Sequence, residues 1–123
     1  MSEPTSLREF ARRFNAGDYF EAHEVLEKPW LAAREPEKTF LKGLIHAAVC
    51  LYQYGRGNRH GARVKYLSCH RYLDPYAPEY AGVDVAGLLR QLDRYFAALM
   101  APGSEGPVPP PAGPPPRLTL RGE

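Results

Sequence analysis

The chain has 123 residues, 44% of them hydrophobic and 24% charged, with a formal net charge of +2. That is enough chain for one domain with a real core and not for two, and the small charge gives no grounds for general nucleic-acid binding. A membrane span is not expected, since the longest apolar reading, Leu44 to Tyr54, is interrupted by His46 and Gln53.

Met1 to Arg13 contain no long apolar core, so no secretory leader is expected. The first helix is predicted from about Thr5 to Asn15, with Leu7, Phe10, Ala11 and Phe14 at helical spacing and Gly17 as its stop. The next stretch, Gly17 to Trp30, gathers four acids, a histidine and three aromatics. It reads as a helix opened by a capping box of Asp18 and Glu21, bent by Pro29 and continuing to about Ala33. Residues three, four and seven apart share a face. Phe20, His23, Glu27 and Trp30 therefore form one stripe, and Glu21, Glu24 and Lys28 another. A His–Glu pair between large aromatics is expected partly out of water, where polar groups need partners.

Pro36 suits the first turn of a third helix reaching about Tyr54, with Phe40, Leu41, Leu44, Ala48 and Leu51 on its core face. His46 lies nearly opposite, and Gly43 leaves a gap on the His46 face that would let another helix approach closely. Asn58 is the expected cap of a fourth helix to about Leu73, with Ala62, Tyr66, Leu67 and Leu73 turned inward. A loop follows to Val83, in which Tyr76 and Tyr80 would close over a pocket or cover the end of the bundle. Asp84 caps a fifth helix with the cleanest apolar stripe in the chain, from Val85 to Met100. From Ala101 the composition changes: eight of the last 23 residues are proline. Residues 1–100 are expected to form the helical domain, and 101–123 a flexible tail that adds no core, with docking of its end, Leu118-Thr119-Leu120, on the body or a neighbouring subunit as the alternative. Cys50 and Cys69 fall inside predicted helices; with no leader they are expected reduced, in a cytoplasmic protein.

The fold expected is all-α, a compact bundle of about five helices. Its chemistry centres on His23 and Glu27, which at i and i+4 can offer two ligands to one divalent metal such as zinc. A third ligand would have to come from elsewhere, His46 first and Glu24 second, with His60 and His70 behind them. The alternative is that Glu27 accepts a hydrogen bond from His23 with no metal at all. The start of the fourth helix, with Arg56, Asn58, Arg59 and Arg63, combines free backbone N–H groups with arginines and is a candidate anion site. Its competitor is simple charge pairing with the acidic second helix. Ser68-Cys69-His70 puts thiol and imidazole on different helix faces, which does not suit a Cys–His dyad.

Phe14-Asn15-Ala16-Gly17-Asp18-Tyr19-Phe20-Glu21-Ala22-His23-Glu24-Val25-Leu26-Glu27, with Trp30, resembles the signature of the DUF309 family of small helical proteins without an assigned function. Its His-x-x-x-Glu-x-x-Trp/Tyr motif falls on His23, Glu27 and Trp30. Phe40 to His46 resembles a second block, and Gly57-Asn58 with Gly61-Ala62 a third, so that the likeness runs from about residue 7 to 100. It implies an all-α fold and suggests metal binding through the motif's His and Glu. His46 stands where the family pattern has glutamine, and Pro29 within the motif is a second departure. Three functions follow. The first is a non-catalytic domain with a buried His–Glu network, acting as a homodimer or on a protein partner. The second is a metal-binding protein, with hydrolysis as the reaction such a metal would support. The third is an anion or small-molecule binding module. Phe20, Trp30 and Gly43 support the motif in each.

Overall fold

A computed structural model describes residues 4–121; Met1 to Glu3 of the segment searched for a leader, and Gly122 and Glu123 at the end of the tail, lie outside the described residues. Five α-helices follow one another: α1 (Pro4–Asn15), α2 (Tyr19–Ala32), α3 (Glu37–Gly55), α4 (Arg59–Leu73) and α5 (Val85–Met100). Between α4 and α5 the chain makes a 3-10 turn at Asp74–Tyr76 and a two-residue hairpin, β1 (Glu79–Tyr80) against antiparallel β2 (Val83–Asp84). The fold is the expected all-α bundle. Among the described residues no helix is long and apolar enough to cross a membrane.

Helix boundaries follow the local chemistry. Gly17 takes φ +85°, the left-handed backbone that ends α1. The side chains of Asn58 and Asp84 accept from the backbone N–H groups of Gly61 and Gly87, capping α4 and α5. The capping box expected on α2 does not form: Asp18 occupies the N-cap position but makes no side-chain cap bond, and only its carbonyl, accepting from the Ala22 N–H at 2.8 Å, enters the helix. Pro29 lies inside α2, which runs on to Ala32 despite the missing donor.

The core is built where the period predicts. Leu7, Phe10, Ala11 and Phe14 of α1, and Phe40, Leu41, Leu44, Ala48 and Leu51 of α3, are all buried. Helix α3 is central, packing α2 on one side and α4 on the other. A Cβ built on Gly43 would stand 2.5 Å from Leu73 Cδ2 and 3.2 Å from Tyr72 Cβ, so α4 crosses α3 against the bare glycine. Leu67 departs from expectation. It is 53% exposed, while Ser68 and Cys69 are buried. Ala62 and Leu73 turn inward as expected, and Leu73 is the side chain that fills the space left by the bare Gly43. Tyr76 and Tyr80 cover the bundle end by packing on Phe40, with ring centroids 5.4 and 4.7 Å away.

The tail, for which the sequence favours a mobile chain, lies along the helical body. Pro116, Leu118 and Leu120 alternate inward and are buried. Leu120 forms an antiparallel bridge with Val83, and the Asp84 N–H donates to the Thr119 carbonyl at 3.0 Å. The Asn15 amide clamps Leu118 from both sides, donating to its carbonyl at 3.0 Å and accepting from its N–H at 2.8 Å. Gln91 does the same for Arg117. The physical reason is that prolines preset an extended backbone, whose entropy cost on docking is already reduced, while the alternating leucines supply apolar surface.

Candidate functional site

The motif helix divides as its periodicity implies, but its pair is less enclosed than expected. The His23 side chain is 16% exposed and that of Glu27 56%. The ring Nδ1–H donates to the Phe20 carbonyl. The other nitrogen, Nε2, is 3.6 Å from Glu27 Oε2, beyond hydrogen-bond length, and can donate there only when the ring is protonated. Phe20, 44% exposed, meets the His23 ring edge-on at 4.8 Å and Tyr52 of α3 at 5.3 Å. Trp30 is half-buried at the other end of the stripe, and its indole N–H has no hydrogen-bond partner among the described residues. In place of the expected buried His–Glu network stand a half-buried histidine tied to its own helix and an exposed glutamate.

His46 is not brought to that pair. It faces α4, where Nδ1 is 2.6 Å from Ser68 Oγ and the ring packs edge-on against Tyr72. Among the described residues no three of His, Cys, Asp and Glu are grouped to hold a metal ion, so His23, Glu27, Glu24 and His46 do not assemble the proposed ligand set. The reason is topological: His46 and Gly43 lie on the side of α3 that α4 covers, through Ser68, Tyr72 and Leu73.

The Ser68–His46 contact has nucleophile–base spacing, a pairing that residue spacing does not reveal because the two residues are 22 apart and on different helices. Ser68 is buried, and its hydroxyl donates to the Lys65 carbonyl at 3.3 Å. The hydroxyl thus has two acceptors within reach, the Lys65 carbonyl and, in the tautomer with Nδ1 unprotonated, the His46 ring. Burial is the first cause pushing the His46 pKa down to about 4, followed by the positive charges of Lys65, Lys42 and Arg71. The cysteines are inert. Cys50 and Cys69 are free and fully buried, Cys50 Sγ–H donates to the Ala47 carbonyl at 3.1 Å, and burial raises both thiol pKa values.

The candidate anion site at the start of α4 is already engaged. The Arg59 guanidinium donates to Ser104 Oγ at 2.7 Å and to the carbonyls of Ser104, Gly106 and Pro107 at 3.0–3.2 Å. The Asn58 side chain is spent on the helix cap and on Gln53, and Arg56 lies over the Tyr52 ring. Arg63 makes no ion pair among the described residues. The tail carbonyls occupy the place given to an anion.

A cluster missed in the sequence links α4 to α5. His70 Nδ1 is 2.8 Å from Asp74 Oδ1, Nε2 is 2.5 Å from Asp93 Oδ1, and the Tyr66 hydroxyl donates to the same Asp93 oxygen at 2.6 Å. The only available signal was the His70–Asp74 spacing, since Asp93 comes from another helix. Burial lowers the His70 pKa, but hydrogen bonds to Asp93 and then Asp74 outweigh it and raise the pKa overall. A raised folded pKa stabilises below the ordinary histidine value of about 6.5, and the gain is lost as pH rises through the folded value. The stability gap between the wild type and His70→Gln should therefore be about 0.5–1 kcal/mol at pH 5.5, discounted for exposure, and should shrink by pH 8.5. Thermal melts at the two pH values measure it, and a gap that widened with pH would refute the assignment.

An open groove of about 560 Å³ runs between α1, the end of α2 and the start of α3, lined by Leu7, Leu26, Pro29, Arg34, Leu41 and Tyr80 among others; neither His23 nor Glu27 lines it.

Comparison with known proteins agrees with the motif. Residues 7–64 match the family model described as a domain of unknown function, DUF309. An uncharacterized protein of Aquifex aeolicus (strain VF5) is 41% identical over 64 residues, covering 50% of this chain and 19% of that protein. The uncharacterized protein YpuF of Bacillus subtilis (strain 168) is 32% identical over 97 residues, covering 76% of this chain and 56% of YpuF. The chain thus spans less than two thirds of the length of either relative.

Proposed function

We propose a non-catalytic binding role for this chain, which belongs to the DUF309 family. The observation that carries it is the state of the motif: His23 is held by its own helix, while its neighbour Phe20 stays 44% exposed beside the exposed carboxylates of Glu21, Glu24 and Glu27. A polar group fixed inside and a large aromatic displayed outside describe a contact surface better than a reaction centre. The partner this face suits is a protein surface, another copy included, carrying an apolar pocket rimmed with Lys or Arg. The groups that could serve as nucleophiles elsewhere fit the same reading, since the Ser68 hydroxyl and both thiols are buried away from any substrate.

The reading is tested by placing a photo-crosslinking phenylalanine analogue at position 20 and irradiating cells that express the protein. A discrete protein adduct is expected from position 20 and none from Arg90, an exposed residue of α5. Melting of the labelled protein within a few degrees of wild type verifies the fold. Absence of an adduct at position 20, or equal adducts at both positions, would sink the proposal.

A further inference from the structure

Helices α3 and α4 concentrate positive charge on the face where they cross. Lys42 and His46 lie one turn apart on α3, and Lys65, Ser68 and Tyr72 follow one another at helical spacing on α4. The bare Gly43 lets the two rows close on each other. Lys42 Nζ sits over the Tyr72 ring, 5.0 Å from its centroid, and the Arg71 guanidinium is over the same ring at 5.3 Å. Among the described residues neither of them, nor Lys65, lies within ion-pair distance of a carboxylate, whereas Arg12, Arg13 and Arg121 are all paired. Two neutral groups register the resulting field. Arg71 and Lys42 lower the Tyr72 phenol pKa, and Lys65, Lys42 and Arg71 add to the burial that lowers that of His46.

We infer that this face binds an oligophosphate group, two or three linked phosphoryl units of a small ligand, through Lys42, Lys65 and Arg71 around Tyr72. Two cations over one ring and a third, Lys65, about two turns earlier on the same helix, without a common focus, match a distributed charge of three or four better than a lone carboxylate. The guanidinium fork suits phosphoryl oxygens. Contact with the ring holds two long side chains in place, which reduces the ordering cost of binding. The positive strip extends to Trp30, over which Lys42 and Lys38 lie at 5.9 and 5.1 Å. With cations over both rings, no open platform remains for stacked bases, which argues against single-stranded nucleic acid. The site is separate from the Phe20 surface and from the start of α4, so the inference stands independently of the proposed binding role.

Sodium tripolyphosphate is the probe, with sulfate at equal ionic strength as reference because excluded salts stabilise proteins generally. A saturable rise in melting temperature of about 5 °C or more over the sulfate reference is expected for the wild type. It should be largely lost in Lys42→Gln and Arg71→Gln and retained in Arg90→Gln, with the His46 ring resonances shifting as ligand is added. Lys65→Gln substitutes for either variant that melts abnormally without ligand. An equal rise with sulfate, an equal rise in Lys42→Gln and Arg71→Gln, or displacement of tripolyphosphate by an acidic peptide or a single-stranded oligonucleotide at matched charge would each overturn the assignment.

Discussion

Gly43→Val is expected to lower the melting temperature by roughly 10–15 °C, a loss of about 3 kcal/mol or more in a domain of this size. The Cβ alone would stand 2.5 and 2.6 Å from Leu73 Cδ2 and Cγ. Leu73 is fully buried and cannot swing aside, and the third neighbour, Tyr72 Cβ, is fixed to the backbone. The helix must move, and α3 with α4 is the most extensive helix pair in the fold. Gly43→Ala separates packing from propensity. Alanine gains about 1 kcal/mol of helix preference at an unhindered site, so a net loss of about 1–2 kcal/mol there is the signature of the close crossing. Helical circular dichroism followed through thermal unfolding reads both variants. An alanine variant as stable as wild type would mean that α4 does not need the gap.

Leu118→Ala is expected to cost about 2–3 kcal/mol, near the lower end for a buried leucine. The value has a ceiling, because the tail can leave the body once its docking energy is exhausted. Leu118 is 1% exposed and clamped by Asn15, and Leu120 and Pro116 are buried beside it. The same ceiling predicts that Asn15→Ala adds little to Leu118→Ala, since either change releases the same segment. Denaturant titrations of the two single variants and the double variant give the coupling. Limited proteolysis should cut between residues 104 and 117 faster in each. Additive losses with an unchanged cleavage pattern would show that the two residues act separately.

The helices were legible because their cores repeat at the helical period over ten or more residues, as in Phe10 and Phe14 or Phe40, Leu44 and Leu51. The caps at Asn58 and Asp84 were legible because one side chain and one nearby N–H suffice. The tail was not. Its buried residues, Pro116, Leu118 and Leu120, alternate over only five positions, and their partners Asn15 and Val83 are remote in sequence. The candidate site was half legible. Spacing placed His23 and Glu27 on one face but could not tell that the ring would turn to the Phe20 carbonyl and leave Glu27 in water. His46 was correctly placed off the core face of α3. Which helix it met was decided by Gly43, whose effect depends on what crosses it. The separation of acids on α2 from bases on α4 was legible along the chain, although the net charge of +2, a sum without positions, does not carry it.

The two cysteines give the fold its own clock. Cys50 and Cys69 sit on the two helices that cross at Gly43, with no exposed surface. A thiol-specific reagent attacks only the thiolate, and in the closed molecule these sulfurs are both out of reach and held protonated. Each labelling event therefore has to wait until α3 and α4 part. In the regime where chemistry outruns reclosing, the modification rate equals the rate of parting; in the opposite regime it reports how much of the population is open. A mass spectrum taken over time would read the lifetime of that interface from the natural sequence, with no probe introduced and no denaturant added.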